Sequence, residues 1–333
     1  MQNPPRPDPA DVRARVPREV ERRREASALV RNAVYADPGG VPLLMDLYRP
    51  PIKGPVPAVV WLHGGGWKSG TKDLCKARWL VRYGFAVAAV DYRLLPRHRH
   101  PAQADDARAA VRCVRTRAQE FGVDPDRIGL GGESAGACLA SLVALTPGPL
   151  AAAAGLAARA PDPAREPVLA ASAHADDAVR AVVNVAGFTD FPALCDRPDR
   201  RSGRPTPEAL LLGCDAPPYR APARALRRLS PVHHVEAAAA AGPLPAFLHV
   251  HGAANQVVPA DQARRLHAAL RAAGGRTKLV EVKGVGHGHP RLLGDEALRG
   301  RIVDFLNANL RPPEPPEPPE PPEASEPNPE PLA

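Results

Sequence analysis

The chain has 333 residues, 44% of them hydrophobic, enough to bury one sizeable core, and a formal charge of +8. No stretch approaches the roughly 20 apolar residues of a membrane span, and the opening Met1–Asp8 carries charge and proline where a secretory leader would be apolar. Five scattered cysteines without CxxC spacing argue for reduced thiols rather than a disulfide frame or zinc site, and the arginine excess forms no basic face interleaved with aromatics, which argues against a nucleic-acid partner. A cytoplasmic protein is expected.

Residues 1–24, rich in proline and arginine, read as an exposed N-terminal arm ahead of a domain spanning 25–310. Apolar runs near 29–35, 43–49, 56–62 and 85–90 are predicted strands, and 101–120 is a predicted helix. Arg127–Gly131 is a further strand, and Ala137–Leu145 a helix without a breaker. Residues 147–177 are rich in alanine and proline and read as a surface insertion. Strands near 180–185, 245–250 and 277–283 follow, with a small helical excursion over 191–235 and a last helix from 290 to 309. Strands alternating with helices call for a mostly parallel sheet covered on both faces, an α/β fold. From Arg311 the chain repeats Pro-Pro-Glu. Proline removes donors and the glutamates repel, so 311–333 is expected to stay extended and outside the core.

Two motifs carry chemistry. Gly132-Glu133-Ser134-Ala135-Gly136 lies where a strand hands over to a helix, and its glycines permit the sharp turn that holds a serine hydroxyl above the sheet edge. Upstream, the apolar run Val59–Leu62 enters His63-Gly64-Gly65-Gly66, whose backbone N–H groups have no side chain in the way. Donors of this kind suit a developing oxyanion. Ser134 is therefore the candidate nucleophile, with the N–H groups of Ala135, Gly65 and Gly66 as oxyanion donors.

With these residues the sequence resembles the α/β-hydrolase fold, in the HGGG esterase and lipase group near the hormone-sensitive-lipase and BD-FAE-type carboxylesterases. The resemblance extends over Leu44–Pro50, Lys72, Asp91–Leu94, Asp105-Asp106, Leu212-Gly213, His251-Gly252 and Gly286-His287-Gly288. It implies a serine hydrolase of small carboxylic esters, with short acyl groups expected. The sequence shows no metal cluster and no dinucleotide fingerprint, so no cofactor and no metal are expected. By the same resemblance His63 braces the glycine loop and His287 is the base, His289 being a rival on the same loop. The HGGG loop speaks against a serine peptidase. A homodimer is left open.

The orienting acid departs from the family. His251-Gly252-Ala253-Ala254-Asn255 aligns with a pattern that ends in aspartate, so Asn255 stands at the acid position. An amide oxygen is able to accept the imidazole Nδ1–H but brings no charge. Asp190, after the strand at 180–185, is the alternative acid. A catalytically impaired binding protein on the same fold is the competing reading, and Asn255 is its only motive.

Overall fold

The structure, a computed structural model, describes residues 28–146, 176–197, 206–214 and 221–310. The arm at 1–24, nearly all of the 147–177 insertion and the 311–333 tail lie outside them. Eight strands form one sheet: β1 (Ala28–Ala36), β2 (Leu43–Tyr48), β3 (Val56–Leu62), β4 (Ala86–Val90), β5 (Val123–Glu133), β6 (Ala181–Val185), β7 (Ala246–Gly252) and β8 (Thr277–Val282). Their spatial order is β1-β2-β4-β3-β5-β6-β7-β8. β2 runs antiparallel to β1 and β4, and every pairing from β4 to β8 is parallel.

The central strands read as unbroken apolar runs because both faces are covered. All residues of β3, β4, β6 and β7 are buried. Alternate side chains enter two separate cores. Val60, Leu62, Leu130 and Phe247 face one core together with α1 (Ala102–Thr116), α3 (Ala135–Leu145) and α8 (Asp261–Ala272). Val59, Trp61, Val183 and Leu248 face the other, beneath Ile302, Phe305 and Leu306 of α10 (Glu296–Leu310).

The predicted helix over 101–120 divides into α1 and the short α2 (Ala118–Phe121), since Arg117 leaves helical geometry between them. The last helix likewise divides into α9 (Arg291–Gly294) and α10. There Asp295 adopts an extended backbone and its side chain accepts the N–H of Leu298, which starts a new helix instead of continuing the old one. The described parts of the 191–235 excursion contain α4 (Phe191–Cys195), α5 (Pro207–Leu211) and α6 (Ala223–Leu229), and α7 (Val235–Ala241) begins at its end.

β3 connects outward to β4 on one side, while β5 lies on its other side. Loops leaving the carboxyl ends of β3 and β5 therefore diverge and open a crevice, the usual ligand site of such sheets. Leu62 pairs with Gly132, so the loop from His63 to Gly66 starts beside Ser134.

Candidate active site

Ser134 sits between β5 and α3 with φ 53° and ψ −117°, a conformation side chains rarely adopt and that surrounding structure must enforce. The enforcing contacts are close. A Cβ on Gly136 would lie 2.2 Å from the Leu62 carbonyl oxygen, and one on Gly132 would lie 2.6 Å from the Gly136 carbonyl carbon. Only glycine fits at either place, which is why the elbow has one on each side of the serine.

Ser134 Oγ lies 2.9 Å from Nε2 of His287, on the loop after β8. His287 is half-buried, and burial, followed by the nearby His251 and Lys76, holds its pKa below the usual histidine value. Lys76 in turn meets the Glu133 carboxylate at 2.6 Å. His289, by contrast, is exposed and its Nδ1 accepts the N–H of Arg291.

The glycine loop is braced from behind. Gly65 and Gly66 have φ of 112° and 60°, and the Gly65 carbonyl accepts the N–H groups of Lys68 and Ser69 at 3.1 and 3.2 Å. His63 is buried, its Nδ1 donates to the Gly64 carbonyl at 2.7 Å, and its ring stacks on Tyr92 with centroids 4.2 Å apart. Burial lowers its pKa to about 4, so it is a neutral brace. Tyr92 also donates its hydroxyl to the His63 carbonyl at 2.8 Å. Beneath, Lys72 forms a buried pair with Asp46 at 2.8 Å and donates its backbone N–H to Asp91. Ala135 is the first residue of α3, so its N–H has no preceding helical carbonyl to bond.

Asn255 is buried and brought to His287, but by the other end of its amide. Its Nδ2 lies 3.0 Å from His287 Nδ1, whereas its Oδ1 accepts the backbone N–H groups of Val257 and Val258 at 3.1 and 2.9 Å. The expectation that the amide oxygen would face the imidazole is corrected: two backbone donors already hold that oxygen.

Asp190 is not brought to His287. One carboxylate oxygen caps α4 through Ala193 N–H at 3.1 Å, and the other lies 3.4 Å from Arg265 Nη1. Its backbone is bracketed by Gln262, whose Oε1 accepts the N–H groups of Thr189 and Asp190 and whose Nε2 donates to the Asp190 carbonyl. The alternative acid therefore has a structural occupation. Asp261 opens α8 and pairs with Arg265 at 3.2 Å.

A nucleophile elbow and glycine loop at adjacent strand ends, with a histidine over the serine, invite comparison with known hydrolases. Residues 45–270 match the model of the BD-FAE family. The chain belongs to the BD-FAE family. Esterase LipC of Mycobacterium tuberculosis is 30% identical over 75% of this BD-FAE chain and 58% of its own length. Carboxylesterase NlhH of the same organism is 42% identical, over 29% of this chain and 32% of its own. Its matches thus span about a third to three-fifths of these curated relatives. Among solved structures, a truncated form of a carbohydrate esterase from gut microbiota superposes with TM-score 0.67 at 25% identity, covering 84% of this chain and 95% of that one. The fold is the α/β-hydrolase fold of these esterases.

Sequence reading missed three contributors: the Val257 and Val258 amides, His251, and Gln262. His251 donates Nε2–H to the Val258 carbonyl at 2.8 Å and so closes the loop that carries Asn255. Its place in the His-Gly pattern was the available signal. Backbone amides and a helical glutamine leave none.

Proposed function

We propose that this BD-FAE member hydrolyses small carboxylic esters through an acyl-enzyme on Ser134. The observation that carries the reading is the 2.9 Å approach of Ser134 Oγ to His287 Nε2, on the fold shared with esterases. In the reaction Ser134 Oγ bonds to the ester carbonyl carbon as its proton passes to His287 Nε2, and the carbonyl pair moves onto oxygen. The N–H groups of Gly65, Gly66 and Ala135 receive that oxyanion. Collapse breaks the bond to the alcohol, which leaves with the proton from Nε2, and water repeats the sequence to release the acid. The 191–235 excursion would wall the acyl side and favour short acyl groups. The same reading places the protein in the cytoplasm, in keeping with five free cysteines. Among the described residues no helix is long and apolar enough to cross a membrane.

The test is incubation with p-nitrophenyl acetate and, separately, a fluorophosphonate. Turnover and an adduct on the Ser134 peptide support the reading; an adduct elsewhere, or one kept by Ser134→Ala, overturns it. A second reading, a hydrolase-fold binding protein, is favoured by one observation: no carboxylate contacts His287 among the described residues. Ester binding without turnover would support it.

A further inference from the structure

Asn255 has a single side-chain acceptor, and two backbone donors hold it: Val257 N–H at 3.1 Å and Val258 N–H at 2.9 Å. What faces His287 Nδ1, at 3.0 Å, is the amide NH2. An amide NH2 donates and cannot accept. Nδ1 must then present its lone pair, and a neutral imidazole with a bare Nδ1 carries its proton on Nε2. That is the atom beside Ser134.

We propose that Asn255, anchored by the Val257 and Val258 amides, is a positioning residue that holds resting His287 in the Nε2–H tautomer. In that state the histidine donates to Ser134 Oγ and has no lone pair to take its proton. The inference rests on the ester-hydrolase reading of Ser134 and His287 and concerns how that pair is held back.

The opposite amide orientation is disfavoured by its neighbours. Rotated half a turn, Asn255 would set its NH2 against two backbone N–H groups and lose both of those hydrogen bonds. His251 is the one neighbour that would gain. Its Nε2–H, already given to the Val258 carbonyl, lies 3.4 Å from the Asn255 nitrogen. One long contact does not offset two lost short ones. The remaining groups around His287 do not help it take up charge: burial, His251 and Lys76 all act against protonation. Acylation needs the proton moved from Nε2 to Nδ1, and there it would point into the Asn255 NH2.

An aspartate at this position would act differently with the same shape. One carboxylate oxygen keeps the two backbone donors while the other accepts Nδ1–H, which frees the Nε2 lone pair. The mirror change in a serine protease, aspartate to asparagine, costs about 10⁴ in kcat through the wrong tautomer.

The experiment is nitrogen-15 NMR of histidine-labelled protein, above the pH at which His287 titrates, together with ester kinetics. The His287 signals, identified among eleven histidines by their loss in His287→Asn, should show a protonated Nε2 and a bare Nδ1 in the native protein. Asn255→Asp should invert that pattern, raise kcat on p-nitrophenyl acetate by up to ~10⁴ with little change in KM, and move the acid limb of the pH profile upward, because the carboxylate favours the imidazolium. A merely structural Asn255 would leave the nitrogen pattern alone. Native His287 found with its proton on Nδ1 overturns the inference, whatever the kinetics. An Asn255→Asp protein with inverted tautomer that neither hydrolyses esters nor takes fluorophosphonate on Ser134 would instead overturn the esterase reading and leave the inference standing.

Discussion

The backbone N–H of Ser134 donates to the carbonyl of Val185 at 2.8 Å. This bond ties the end of β5 to the end of β6 and helps hold the serine at φ 53°. Such a conformation costs a side-chain-bearing residue about 1–3 kcal/mol, which glycine largely escapes. Ser134→Gly is therefore expected to be more stable than Ser134→Ala by about 1 kcal/mol in denaturant titrations, both being inactive. Equal stabilities would show that the elbow is relaxed rather than strained.

Gly65 and Gly66, the proposed oxyanion donors, separate two causes of damage. At Gly66 an added Cβ meets nothing within 4 Å, while at Gly65 it would lie 2.1 Å from the Ser69 carbonyl oxygen. Gly66→Ala should bear only the positive-φ penalty of about 1 kcal/mol in stability and keep most activity. Gly65→Ala must shift the loop, and losing one oxyanion donor costs about 10²–10³ in kcat. If both variants lose activity equally, loop geometry is not what positions the donors.

Asp190→Asn should leave kcat nearly unchanged. The amide oxygen still caps α4, and what is lost is a charge that half-exposed Arg265 meets at 3.4 Å and His233 at 3.8 Å, a class of contact worth at most about 1 kcal/mol. Steady-state kinetics with one ester decides. A dead Asp190→Asn of native stability would show that this carboxylate serves His287 after all.

How legible the molecule was in its sequence depended on the kind of force involved. The runs that became β3 and β7 were visible because covering both sheet faces demands apolar residues throughout. The elbow was visible because Cβ atoms at Gly132 and Gly136 would collide with backbone. The break at Asp295 was not, because the residues around it are compatible with one helix or two, and only the cap taken by Leu298 N–H decides. Nor could the sequence say which end of Asn255 faces His287. That follows from the amides of Val257 and Val258, and every residue but proline carries such a donor. The partners of Asp190 were hidden for a like reason, since Gln262 and Arg265 approach from a helix about seventy residues away.

The last expectation concerns acid. His249 on β7 is fully buried, both its ring nitrogens lack partners among the described residues, and its ring meets His267 edge-on at 6.2 Å. Burial, reinforced by His267 and His251, lowers its pKa to about 3. The unfolded chain binds a proton there below pH of about 6.5, while the folded chain does not until pH approaches 3. Between those limits each pH unit removes up to about 1.4 kcal/mol of stability through this residue. His63 and His100, both held to about 4 by burial, add losses of the same sign. Asp91 and Asp106 oppose them, because burial raises their carboxyl pKa values and the folded state then takes up those protons first. His249→Leu, close in volume and without a titrating group, should lose less stability than the native protein between pH of about 6.5 and about 4. It should also gain about 1–3 kcal/mol at neutral pH from removing two unpaired buried nitrogens, provided the leucine packs. Urea titrations of both proteins across that range measure both effects. Parallel losses would show that His249 is protonated in the folded state, or that water reaches its ring.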